Sequence, residues 1–179
     1  MSDRDLLDHI RATPWIAESL AQFDFDLSRV DNGPVEPVHL AGGEPLEMVA
    51  GDGGGGAFML VGDGADRPVV YVGSEGEGGL VATTLRDALA LVVGLSSIHD
   101  ATAYPLGDDG GAKLRAWLAE ADAEIRADWP DLDADRRRLQ EELSLPPATD
   151  LLDDLHRAAA DDHYRPISEA GDVYAAMVA

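Results

Sequence analysis

The sequence predicts an α+β fold in which helices pack on an antiparallel sheet, followed by a C-terminal helical extension. Three observations lead there. Four short apolar runs, at 46–50, 57–61, 69–72 and 80–82, are separated only by brief Gly-rich turns. Parallel neighbours need a crossover of about a dozen residues, so these strands must form antiparallel hairpins. The leading segment and the stretch after residue 83 carry apolar residues at helical spacing, and so does most of the chain beyond residue 111.

Asp3 to Phe25 reads as helical through Leu6, Leu7, Ile10, Trp15, Ile16 and Leu20. Pro14 divides it, because proline suits a first helical turn and not an interior one. Asn32-Gly33-Pro34 and Gly42-Gly43 bracket a loose connection with a short strand at Val38 to Leu40. Leu46, Met48 and Ala50 alternate with Glu47 and Val49, as in a half-buried strand. Ala57 to Val61 is apolar on both faces and belongs at the centre of the sheet. Val69-Val70-Tyr71-Val72 has the β-branched and aromatic content of a strand, and Leu80-Val81-Ala82 supplies the last one.

Thr84 to Leu95 is a helix opened by a capping-box variant, Thr84 with Asp87, and its wide apolar arc should bury it against the sheet. Ala112 to Trp129 has Leu114, Trp117, Leu118, Ala121 and Ile125 along one face. Pro130 ends it. Asp133 to Leu143 and Asp150 to Ala160 are further helices, with Asp133 the expected N-cap of the first. Tyr164 to Ala179 supplies a terminal strand or helical turn. The expected division is 1–104 as the α+β core and 105–179 as an extension packed on it in one structural unit.

Composition narrows the function. The chain has 179 residues, 45% of them hydrophobic, enough for one ordinary domain with a proper core. No apolar run approaches the ~18–20 residues that span a bilayer, so no membrane association is expected. Met-Ser-Asp-Arg-Asp opens the chain without an apolar signal region, and a cytoplasmic location is expected. There is no cysteine, which removes disulfides, thiolate metal sites and cysteine nucleophiles. The net charge is −22, from 35 carboxylates against 13 Lys and Arg. Such a chain repels phosphate backbones, which argues against direct nucleic-acid binding. Two accounts yield the same charge: solubility or a salty cytoplasm, and attraction to a basic partner.

No motif amounts to a catalytic, cofactor or metal site. Gly51, Gly53 and Gly56 fit G-x-G-x-x-G, but a strand follows them where a dinucleotide site needs a helix N-terminus. Asp131, Asp133, Asp135 and Glu142 match four positions of a calcium loop. The sixth position, which needs glycine, is Arg136, and Arg137 and Arg138 follow. The histidines form no H-E-x-x-H or H-x-H, and Ser96 and Ser97 near His99-Asp100 lie in no G-x-S-x-G elbow. Trp15, Trp117 and Trp129 fall on or beside apolar helical faces, which makes packing their expected role.

The order and spacing of the central segments resemble the SUKH superfamily. The series is Asp52-Gly53-Gly54-Gly55-Gly56-Ala57-Phe58, Pro68-Val69-Val70-Tyr71-Val72, Ser74-Glu75-Gly76-Glu77, Val81-Ala82, Leu85 and Ala88-Leu89-Ala90-Leu91. The resemblance covers 46–95 well and 1–45 loosely. Trp129-Pro130-Asp131-Leu132, Leu145-Pro146-Pro147 and Asp154-Leu155-His156 look like the extension of some bacterial members. One departure is the absence of a Tyr-Trp element after the core helix, where Ser97-Ile98-His99-Asp100 stands.

The resemblance implies a SUKH-like α+β fold without enzymatic activity or cofactor. It implies a protein-binding role, foremost an immunity protein that neutralises a toxin such as a basic nuclease. A regulatory scaffold with another protein partner is the alternative; a third is an enzyme or ligand-binding domain using His99 and Asp100. The oligomeric state is left open. The expected partner-binding carboxylates are Asp52, Glu75 and Glu77, with Asp63 and Asp66 on a neighbouring turn, because Gly-rich loops project side chains from a rigid sheet. Simple solvation of each turn is the competing account.

Overall fold

A computed structural model describes residues 1–178. Two helices lead, α1 (Asp3–Ala12) and α2 (Pro14–Gln22), with Pro14 in the first turn of α2 as its chemistry requires. Ser2 opens α1 with a full capping box: it accepts from the Asp5 amide, and the Asp5 carboxylate accepts from the Ser2 amide. A 3-10 helix, Leu27–Asn32, fills part of the connection that the sequence left irregular.

The strands are β1 (Val38–His39), β2 (Leu46–Gly51), β3 (Ala57–Val61), β4 (Val69–Val72) and β5 (Gly78–Ala82). Strands β2 to β5 form an antiparallel meander in that order, which puts β3 at the centre as its two-sided apolarity predicts. Helices α3 (Leu85–Gly94), α4 (Ile98–Thr102), α5 (Ala112–Asp128), α6 (Leu132–Leu143) and α7 (Leu152–Ala159) follow. Strand β6 (Ile167–Ser168) then returns to pair antiparallel with β1. The fold is α+β.

Strand alternation sorts the core into two layers. Phe58, Leu60, Val69, Tyr71 and Val81 face the main core with α1, α2 and α3. Ala57, Met59, Val61, Val70, Val72 and Leu80 face a smaller layer closed by Leu40, Ala158 and Tyr174. The alternation expected for β2 breaks at its end. A bulge between Met48 and Ala50 turns both Val49 and Ala50 into the main core.

The extension shares that core. Leu114, Leu118, Leu132, Leu139, Leu143, Leu152 and Leu155 pack in the same apolar layer as Leu85 and Leu89. Two arginines tie it to α3. Arg86 donates to the Leu143 carbonyl, and the buried Arg136 donates Nε–H to the Val93 carbonyl (2.8 Å) and both terminal nitrogens to Asp122 (2.9 Å each). A 3-10 turn, Ala148–Leu151, comes so close to the end of α3 that a Cβ on Gly94 would overlap that of Ala148.

Two expectations are corrected. Asp131, not Asp133, holds the N-cap position of α6, since Asp133 is drawn to Arg126 at 3.0 Å. Trp117 does not pack inside: it is exposed and stands edge-on to Tyr104. Three of the four calcium-loop-like carboxylates also have separate engagements, Asp133 with Arg126, Asp135 with the Trp129 indole and Glu142 with His9.

Candidate partner-binding site

Antiparallel connectivity decides which turns meet. The β2–β3 and β4–β5 turns lie at one end of the sheet and the β3–β4 turn at the other. Asp52, Glu75 and Glu77 therefore share an end, whereas Asp63 and Asp66 belong to the opposite one. The five expected carboxylates are therefore divided between the two ends of the sheet.

At the far end, Asp63 and Asp66 are exposed beside the start of α1, where the Asp3 amide donates to the Ala65 carbonyl and the Arg67 amide to the Asp3 carboxylate. Burial pushes the Asp3 carboxyl above its ordinary 3.8; the Arg67 amide opposes this and the Asp66 charge adds to it. The folded state thus holds the Asp3 proton more tightly than the unfolded chain does. That contribution to stability is full below about pH 3.8 and is lost as pH rises through the raised value. Thermal melts should show Asp3→Asn gaining on the wild type between pH 3.5 and 7. A constant difference would contradict the assignment.

Asp52 also departs from expectation. It does not project: only 9% of it is exposed. Its Oδ1 accepts from the Gly54 and Gly56 amides (2.9 and 2.8 Å), the local bonding that makes Asp a turn former. Its Oδ2 accepts the Tyr71 hydroxyl at 2.6 Å. Gly56 permits this, since a Cβ there would overlap the Tyr71 hydroxyl and ring. With its hydrogen committed to Asp52, the Tyr71 oxygen is an acceptor for His99 Nε2, 3.2 Å away, which assigns the ring proton to Nε2. Burial first, then the Asp52 bond and the charges of Asp52, Glu77 and Asp24, push the Tyr71 phenol far above its ordinary value.

Asp24 completes the rim. It is a non-glycine residue in the left-handed region (φ 60°), a conformation aspartate tolerates, and its Oδ1 accepts from the Gly53 amide at 3.2 Å. Glu75 is exposed and Glu77 half-buried, its carboxylate folded over Gly73. The C-terminal strap holds their turn: the Ala175 amide donates to the Gly76 carbonyl (2.8 Å) and the Gly78 amide to the Ala175 carbonyl (3.0 Å). Among the described residues, none of Asp24, Asp52, Glu75 and Glu77 has a Lys, Arg or His partner within 4.0 Å.

Beside this rim lies a cavity of about 220 Å³. Phe23, Phe58, Ile98 and Trp129 make its apolar wall, while Asp24, Asp52, Tyr71 and His99 supply polar atoms. Arg136 reaches it too, with its charge already matched by Asp122. His99 and Asp100 do not act as a pair. His99 meets Tyr71, and Asp100 accepts from Ser96 Oγ at 2.7 Å. The glycines of the G-x-G-x-x-G string lie in or beside the β2–β3 turn, followed by β3. No helix among the described residues is long and apolar enough to cross a membrane. Compared with protein-family models, curated proteins and solved structures, the chain has no significant match.

Proposed function

We propose that this protein is a non-enzymatic, cytoplasmic protein-binding domain: an immunity protein that neutralises a basic toxin by direct contact. The observation that carries the reading is the gathering of Asp24, Glu75 and Glu77, with Asp52 behind them, at one end of the sheet without cationic partners among the described residues. Carboxylates left unneutralised attract a cationic surface and speed its approach. A nuclease cleft built for phosphate is such a surface. The SUKH-like order of segments, two helices, a four-stranded meander and a packed helix, supports the same role.

The test is titration calorimetry, with an inhibition assay, against the product of an adjacent toxin gene. A complex should form at 20 mM salt and weaken on going to 150 mM, where screening acts within ~8 Å. Glu75→Lys with Glu77→Lys should weaken it by about tenfold or more, since like charges now oppose across the contact. Asp63→Lys with Asp66→Lys, at the other end of the sheet, should leave it nearly unchanged. Neither binding nor inhibition at low salt would refute the reading.

A further inference from the structure

We infer that the cavity beside Asp52 is a socket for one basic side chain of the partner, an arginine, inserted between the aromatic wall and the acidic rim. The inference rests on the protein-binding reading and names the anchoring contact within it.

Size is the first argument. At about 220 Å³ the cavity is small. Pockets that enclose drug-sized ligands or cofactors run from about 300 to 1,000 Å³. The cavity is therefore matched to a single long side chain. Such anchors dominate many interfaces, and arginine is prominent among them.

Chemistry is the second. The wall offers Phe58, Ile98 and Trp129 to an aliphatic stem or a flat cation, and Trp is the best face for a guanidinium. The polar side is acceptor-rich. Asp24 is exposed at the mouth and uses one oxygen on the Gly53 amide, leaving the other available. Asp52 is fixed by three donors within the chain, so its charge is held in place by a rigid turn without any cation to cancel it. The guanidinium already lining the cavity, that of Arg136, is held by donating two bonds to Asp122 and one to the Val93 carbonyl. An anion would face Asp24 and Asp52; a neutral group would leave their field unanswered.

The test uses the full chain and two probes of the same shape, N-acetylarginine methylamide and its neutral citrulline counterpart. Saturable NMR shifts of the Trp129 indole N–H and the His99 ring are expected with the arginine probe. The citrulline probe should bind about tenfold more weakly. Asp24→Asn keeps the left-handed backbone and the bond from Gly53 while removing the charge, and should weaken the arginine probe about threefold to tenfold without lowering thermal stability. Equal binding of the two probes, no saturable shift at these residues, or insensitivity to Asp24→Asn overturns the socket. If the socket fails while the toxin complex survives, the rim alone makes the contact and the immunity reading stands. If the probe binds but no toxin complex forms, the immunity reading fails and the partner assignment of the socket falls with it.

Discussion

Arg136→Ala is expected to lower the unfolding free energy by about 3–5 kcal/mol, the range for removing one partner of a buried ion pair. The arginine side chain is 8% exposed and its Asp122 partner 18%. Its loss takes both hydrogen-bond donors from the Asp122 carboxylate, leaving it only Arg126 at 3.7 Å, and takes the arginine donor from the Val93 carbonyl, inside a contact joining α3, α5 and α6. Removing both charges is a different matter. Arg136→Met with Asp122→Leu leaves only the Val93 carbonyl to be satisfied, and apolar replacement of a whole pair is often neutral or stabilising. Urea denaturation should show the single variant as the much weaker protein. If the single and double variants lose the same amount, the arginine acts by packing alone and the ion-pair account is wrong.

The second large effect is expected at Gly56→Ala, at a cost of about 2–6 kcal/mol. A Cβ there occupies the place of the Tyr71 hydroxyl, so the ring must shift. Overpacking of this kind costs about 1–3 kcal/mol. The shift also takes the donor from Asp52 Oδ2, and an unsatisfied buried acceptor costs a further ~1–3 kcal/mol. Tyr71→Phe isolates that second part. Because both substitutions break the same bond, the double variant should cost less than the sum of the singles, with a coupling of about 0.5–3 kcal/mol. Strict additivity in denaturant melts would show that Gly56 and Tyr71 act independently. The His99 ring resonance should move in both single variants, since its hydrogen-bond partner is displaced in one and deleted in the other.

Strand positions followed from short apolar runs with glycines between them, because alternation and turn chemistry act over a few residues. The split at Pro14 and the burial of β3 on both faces are local in the same way. The bulge at Val49 was not legible, since it depends on what β3 offers across the ladder. Trp117 misled because an apolar stripe on α5 is wider than the contact its neighbours provide.

The site was half legible. Asp52, Glu75 and Glu77 were found from their turns, but whether a turn carboxylate projects or folds inward depends on a remote hydroxyl, here Tyr71. Asp24 gave no signal of its own, and His99 stood out only beside Asp100, whereas its partner is Tyr71. Asp24 and His99 reach the cavity through the end of α2 and the start of α4, at distances in sequence that no spacing rule covers. Asp63 and Asp66 lie at the opposite end because neighbouring turns in the chain alternate between the ends of an antiparallel meander. Counting hairpins would have separated them.

The strap at Ala175 bears on the order in which the molecule is completed during synthesis. Helices α1 and α2 and the whole meander leave the ribosome first, and domains commonly begin to form from the N-terminal side. The turn carrying Glu75 and Glu77 is nearly a hundred residues old when Ala175 arrives to bond Gly76 and Gly78. Strand β1 waits longer still for β6, whose Ser168 pairs with Val38. The acidic end is thus set last, after the core that supports it, and a nascent chain carries its charges well before it can present them in their final form.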